Sequence, residues 1–159
     1  MSSSEQSMRR VTAIRNGTVI DHVPAGQALL ALQVFGVHGE NSNPVSLVMN
    51  VPSGKHGNKD IIKIEDRELT QEELDKLALI APHASVSIIR NYSVAEKRNV
   101  QIGDEVVNVA KCSYSNCITR GIREPLPHRL KVISKDPFEL RCHYCGRIQD
   151  LDALVENLI

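Results

Sequence analysis

The chain has 159 residues, 42% of them hydrophobic, and its 19 basic side chains balance 19 acidic ones. That length suits one ordinary domain or two small ones, and no apolar run approaches the roughly 20 residues of a membrane-spanning helix. Neutrality holds in both parts, with 11 Lys/Arg against 11 Asp/Glu in residues 1–103 and 8 against 8 in 104–159. With no Trp, two Phe and three Tyr, the chain lacks the basic, aromatic surface usual in a nucleic-acid binder.

The opening residues Met1–Gln6 are polar with no apolar core, so no secretory leader is expected and the chain is read as cytoplasmic. Val11 to Val23 is rich in β-branched residues and predicts a strand, with Asn16-Gly17 as a turn or bulge signal. Pro24-Ala25 opens a predicted helix with Ala28, Leu29 and Leu32 on one stripe, widened by Leu30 and Val34. A loop over 36–44 leads to a strand over 45–51, a hairpin-type connection over 52–58 and a returning strand over 60–65. Thr70 with Glu73 makes a capping box for the next helix, whose buried stripe is Leu74, Leu77, Ala78 and Ala81, ended by Pro82. A strand over 85–94 closes a β-α-β-β-α-β order, and the polar residues 95–105 read as a linker.

After the linker come a short strand over 106–109, a ribbon of 130–133 and 138–141 around a turn at 134–137, and a terminal helix over 151–159. That helix would turn Leu151, Leu154, Val155 and Leu158 to one side. The expected fold class is α+β: a ferredoxin-like βαββαβ sandwich, residues 1–102, followed by a small β-rich zinc-binding domain with a short C-terminal helix, residues 103–159.

The four cysteines form two pairs, Cys112-x4-Cys117 and Cys142-x2-Cys145. Two such knuckles can close a tetrahedral S4 site with no open position, which makes it structural rather than catalytic. Zinc is the metal it suits best; iron is the alternative on thiolate chemistry, and two disulfides the alternative without metal. A reducing compartment disfavours disulfides. Gly146 directly follows Cys145, where a left-handed backbone is often needed. So small a module has little core, so metal binding belongs to its folding free energy.

No catalytic constellation stands out: GxSxG and HExxH are absent, and Gly54-Lys55 lacks the upstream glycine of a P-loop. The six histidines are more readily solvated or structural than catalytic. A small basic cluster is more suggestive. Lys59, Ile61 and Lys63 share one face of a strand, with the two lysines roughly 13 Å apart. Lys97 and Arg98 follow the last strand, next to a first strand that ends in Asp21-His22. Such a patch could hold an anion; otherwise its lysines decorate a solvated sheet edge.

Several segments resemble the regulatory chain of aspartate carbamoyltransferase. They are Gly17-Thr18-Val19-Ile20-Asp21-His22-Val23-Pro24-Ala25, Asn50-Val51-Pro52-Ser53-Gly54, residues 57–65, residues 77–82 and Ile89-Arg90-Asn91-Tyr92-Ser93-Val94. The cysteine pattern and Asn116-Cys117-Ile118 follow in the same order, so the resemblance covers nearly the whole chain.

It implies a non-catalytic allosteric subunit that binds CTP, ATP or UTP as effectors. Such a chain pairs with a second regulatory chain and docks through its zinc domain on the catalytic chain, within a complex of six catalytic and six regulatory chains in pyrimidine biosynthesis. Under the resemblance, Lys59, Lys63 and Lys97 face the phosphates and sugar, and Asp21 and His22 lie near the ribose and phosphate side. Ile14, Val19, Ile61, Ile89, Tyr92 and Val94 line the base pocket. Cys112, Cys117, Cys142 and Cys145 hold one Zn2+.

Ser87 stands where the best-known members place an Asn, Thr12 where they place an acidic residue, and Cys112-Ser113-Tyr114 where Cys-Pro-Asn is usual. The first two departures fall in the pocket expected to choose among nucleotides. The rival readings are a nucleic-acid-binding zinc-ribbon protein, against which the neutral charge weighs, and a small zinc enzyme, against which the closed four-cysteine site weighs.

Overall fold

The computed structural model describes residues 13–37, 40, 42–54, 57–100, 102–121, 126–135 and 138–159. The expectations at Val11, Thr12 and the Leu151 side chain lie outside the described residues. The chain divides after Val100 into two compact units.

The first unit carries strands β1 (Gly17–Pro24), β2 (Val45–Ser53), β3 (Gly57–Glu65), β4 (Ser85–Arg90) and β5 (Ser93–Asn99), with helices α1 (Ala28–Val34) and α2 (Gln71–Ile80). Its sheet runs β2-β3-β1-β4-β5, with every pairing antiparallel. The first four strands and two helices follow the βαββαβ order read from the sequence.

The alternation of β3 explains the layering. Ile62 and Ile64 are fully buried on one side, in register with Ile20 and Thr18 of β1, which pair in turn with Val86 and Ile88 of β4. Asp60 lies on that same side by the two-residue period. It accepts hydrogen bonds from Gly26 and Ala28 at the start of α1, which places α1 there. The buried stripe of α2 is Leu74, Leu77 and Ala78, followed by Ala81, as the periodicity predicts, and Leu79, outside that stripe, is buried as well. Its capping box is complete: Thr70 Oγ1 accepts from the Glu73 amide and Glu73 Oε1 accepts from the Thr70 amide.

Several expectations are corrected, among them the terminal helix expected over 151–159, which ends at Glu156 and leaves Leu158 in a β-bridge with Ala110. Helix α1 begins at Ala28 rather than at Pro24-Ala25, because Gly26 takes a φ of 90° and the Gln27 amide closes a turn on the Pro24 carbonyl. Its buried positions are Ala28, Ala31 and Leu32, while Leu29 is exposed. The single strand expected over 85–94 is a hairpin. Asn91 and Tyr92 both have positive φ, as a two-residue hairpin loop demands, and residues 93–99 return as β5 rather than serving as linker. The polar composition of β5 suits its place at the sheet edge.

Gly17 sits where β1 presses on β3. A Cβ there would lie 2.1 Å from the Ile64 carbonyl oxygen, and its φ is 143°, so only glycine fits.

The second unit holds a four-stranded antiparallel sheet in the order β6 (Glu105–Val107), β7 (Arg129–Lys135), β8 (Phe138–Cys142) and β9 (Ile148–Gln149). A 3-10 turn over Ile118–Arg120 and helix α3 (Leu151–Glu156) complete it. Among the described residues its large fully buried aliphatic side chains are Leu130, Leu140 and Leu154, and Cys112 and Cys142 are buried with them. Among the described residues no helix is long and apolar enough to cross a membrane.

Candidate functional site

Two places in the molecule gather the residues singled out in the sequence. In the second unit, Cys112 lies beyond β6, Cys117 caps the 3-10 turn, and Cys142 ends β8. Cys145 stands one residue before Gly146, whose φ of 72° lets the chain turn back. The Gly146 amide donates to the Cys142 carbonyl at 3.0 Å and the Cys142 amide to the Arg147 carbonyl at 3.0 Å, closing the knuckle. All four sulfurs lie within 4.8 Å of one another. Cys112 and Cys145 Sγ are 3.7 Å apart, as are Cys117 and Cys142 Sγ. A tetrahedron with metal–sulfur bonds of about 2.3 Å has sulfur–sulfur edges of about 3.8 Å, so these spacings fit a single ion.

The surroundings also fit a cation. Burial pushes the Cys112 thiol up to about 12 and raises Cys142 as well, so bare thiolates at these positions are unfavourable. A divalent ion supplies the missing charge. At Cys117 burial also raises the thiol, but hydrogen bonds from the Thr119 hydroxyl and amide outweigh it and bring the group to about 7. Thr119 Oγ1 stands 3.1 Å from that sulfur.

Gln149 Nε2 donates to Cys112 Sγ at 3.4 Å and to the Arg147 carbonyl at 3.0 Å. Its Oε1 accepts from the Ser113 amide and hydroxyl, both at 2.8 Å, so one buried side chain ties the first knuckle to β9. The Arg147 guanidinium also lies over the Tyr114 ring, 4.7 Å from its centroid. Four thiolates leave no place on a tetrahedral ion for water or substrate, so the centre can hold a fold together and cannot do Lewis-acid chemistry.

The first unit carries the other site on the sheet face opposite α1. Pairing register sets one row straight across the five strands: Ser46, Lys63, Val19, Ser87 and Lys97. Lys59 and Ile61 share the Lys63 side of β3, as the period predicts. β3 is an interior strand, and Lys59 and Lys63 are 5% and 3% exposed, so these lysines do not decorate a solvated edge. Lys59 Nζ pairs with Asp21 Oδ1 at 3.0 Å, and burial lowers the pKa of Lys63. A positive charge withdrawn from water in this way gains from an anion placed against it.

Ile14, Val19, Ile61 and Ile89 pack into one apolar cluster with Val51, and Val48 lies against it. Neither Val51 nor Val48 stands out as a site residue in the sequence, although both lie in the strand that pairs with the lysine strand. Val94 pairs with Ile89 in register but is exposed, and Lys97 is exposed on β5. Tyr92 is 67% exposed at the hairpin tip, with its amide donating to the Arg15 carbonyl. His22 is exposed, has a φ of 60°, and donates its amide to Asp21 Oδ1 at 2.6 Å. The face therefore sets an apolar patch beside two buried lysines and one carboxylate.

Family comparison agrees with this division. Residues 9–101 match the model for the allosteric domain of the aspartate carbamoyltransferase regulatory chain, and residues 104–155 match its metal binding domain. The chain is 48% identical to the aspartate carbamoyltransferase regulatory chain of Korarchaeum cryptofilum over 148 residues, 93% of this chain and 94% of that one. It is 48% identical to that of Pyrococcus furiosus over 151 residues, 94% and 97% of the two chains. The Thermoplasma acidophilum chain of the same name is 48% identical over 138 residues, 87% and 91%.

Proposed function

The chain belongs to the family of aspartate carbamoyltransferase regulatory chains, and on that premise we propose that it is the nucleotide-sensing subunit of that enzyme. Nucleotide effectors of the CTP, ATP and UTP class bind the first unit on the sheet face opposite α1. The second unit, held by zinc, docks on the catalytic chain. The chemistry of carbamoyl transfer resides on that partner; this chain is regulatory and not itself an enzyme.

The observation that carries the effector reading is the burial of Lys59 and Lys63 beside an apolar cluster on the sheet face opposite α1. Lysine ammoniums suit phosphate oxygens, and the cluster of Ile14, Val19, Ile61 and Ile89 suits the flat apolar surface of a base. Lys97, Asp21 and His22 stand around them as candidates for the sugar and outer phosphates. Ser87, in the same row as Lys63 and Val19, occupies a position that would choose among bases by its hydroxyl. Residues 1–102 form the effector domain in this reading and residues 103–159 the docking domain.

The complex would be cytoplasmic and would combine six regulatory with six catalytic chains, the regulatory chains in pairs. An effector can shift such an assembly only by binding one of its states better than the other, with couplings of about 1–3 kcal/mol.

Titration calorimetry tests the site. ATP, CTP and UTP should bind the full chain, and Lys59→Ala and Lys63→Ala should each weaken binding about tenfold or more, as expected when a charged hydrogen bond is lost. Absence of heat at millimolar nucleotide would remove the effector reading. A strongly salt-dependent shift of DNA or RNA in a gel would favour the nucleic-acid alternative instead. Co-purification tests the docking role: the chain should travel with a larger catalytic partner.

A further inference from the structure

Asp60 is fully buried on the helix-facing side of β3, one residue from Lys59 and with its side chain on the other face of the strand. Isolated carboxylates are expensive in such a place, and this one is held by three backbone donors. The amides of Gly26 and Ala28 donate to Oδ2 at 2.9 and 3.1 Å, and the amide of Asn50 donates to Oδ1 at 2.8 Å.

One donor, Asn50, lies in a bulge of β2, and the other two lie just after β1, which carries a bulge of its own. Between the pairs Ile20–Ile62 and Val23–Asp60, β1 advances three residues while β3 advances two. The extra residue makes a bulge at Asp21-His22, where His22 has a φ of 60°. Between Val48–Ile61 and Val51–Lys59, β2 likewise advances three residues against two. Its bulge contains Asn50, with a φ of 58°. The first bulge delivers Asp21 to Lys59 on the opposite face of the sheet. One carboxylate on the core side thus braces the β2 bulge directly. It also braces the turn that follows the β1 bulge and leads into α1.

We propose that Asp60 is a positioning residue for the sheet face: it sets the β2 bulge and the turn that follows the β1 bulge, which together frame Lys59, and links occupancy of that face to the start of α1. It touches no ligand itself. The inference rests on the reading of that face as the effector site, and its test separates the two. The full-length, zinc-loaded chain is titrated with ATP and CTP by calorimetry, and amide spectra are recorded with and without nucleotide.

In the parent chain, nucleotide should shift the Gly26, Ala28 and Asn50 amides, although all three lie outside the Lys59 face. A brace with no positioning role leaves them unmoved, and unmoved amides in a nucleotide-bound parent overturn the proposal. Asp60→Asn swaps one acceptor oxygen for a donor. It should weaken nucleotide about tenfold or more while the zinc content of the second unit stays the same. Unchanged affinity overturns the proposal.

If the parent takes no nucleotide, the effector reading fails, and a crystal structure of Asp60→Asn decides the positioning role without ligand. A Lys59–Asp21 separation beyond hydrogen-bond reach supports it, and an intact pair overturns it. Should Asp60→Asn not fold, the amide shifts in the parent still decide where nucleotide binds. Where it does not, Asn50→Gly, which keeps the backbone donor and the positive φ, should preserve the Lys59–Asp21 pair, and replacing the Asn50 amide by an ester, which removes the donor alone, should break the pair; an intact pair in the ester overturns the proposal.

Discussion

The two units solve the same problem with different materials. The first closes its sheet with two helices and a continuous apolar layer of Ile20, Ile62, Ile64, Leu77, Val86 and Ile88. In the second, a short sheet and one turn-and-a-half of helix leave three fully buried leucines among the described residues, and Cys112, Cys117 and Cys142 share the interior with a few small or polar side chains. An apolar core needs chain length, which the second unit does not have, so it relies on a few strong bonds to an ion. The first unit, stable on its own layer, is free to bury lysines on its other face, where a ligand can use them.

Metal removal should break that contrast most sharply. Structural zinc in small modules supplies roughly 10–16 kcal/mol of apparent binding free energy, far more than a few buried leucines. Chelation, or displacement by a mercurial, should abolish amide protection in β6–β9 and α3 while β1–β5 keep theirs. It should also release the catalytic partner. Acid should act in the same direction: the ligands are thiolates only when deprotonated, so lowering pH returns protons to the sulfurs and weakens metal binding. The first unit should then outlast the second as pH falls. A chain in which both units melt together after chelation would contradict this division.

The reverse test lies in the first unit. Leu77 is fully buried on α2, and Leu77→Ala should cost about 2–5 kcal/mol through lost burial and the cavity left behind. The loss should appear in the urea midpoint of the first unit, with metal affinity unchanged. Gln149→Ala is the smaller counterpart in the second unit. It removes the donor to Cys112 and the anchor of Ser113, and losses of such supporting hydrogen bonds cost about 10–100-fold in metal affinity. Competition with a coloured chelator measures it.

Legibility in the sequence follows the same divide. The metal cluster is readable because ligand spacing is local: two knuckles must each be compact in sequence for their sulfurs to share an ion. The capping box and the α2 stripe are readable for the same reason. The lysine face is only half readable. Period-two alternation puts Lys59 and Lys63 together, but their burial and the Asp21 pair depend on which strands flank β3, and that is set by tertiary pairing.

The bulges at His22 and Asn50 are not readable at all, since neither residue type demands a positive φ. Asp60 is visible in principle, as a carboxylate at a core-facing position in an otherwise isoleucine-lined alternation. The hairpin at Asn91-Tyr92 is hidden because β-branched residues continue on both sides of it. The composition of 95–99 then resembles a linker where it is in fact the polar edge strand of the sheet.

The smallest effect sharpens the comparison by being strictly local. Thr70 Oγ1 accepts from the Glu73 amide at 3.2 Å, and Thr70→Ala should cost about 1 kcal/mol, as cap losses do. Glu73 also reaches beyond its own helix. Its Oε2 pairs with Arg67 Nη2 at 2.5 Å, and the same nitrogen donates to the carbonyl of Phe35, the residue that caps the end of α1. Glu73→Ala should therefore cost more than Thr70→Ala, because it loosens both helices rather than one. A double variant should be less destabilising than the sum, since each change already removes part of the same box. Both should leave metal content and the melting of the second unit where they were. An effect of Thr70→Ala on metal affinity would mean that the two units share their stability.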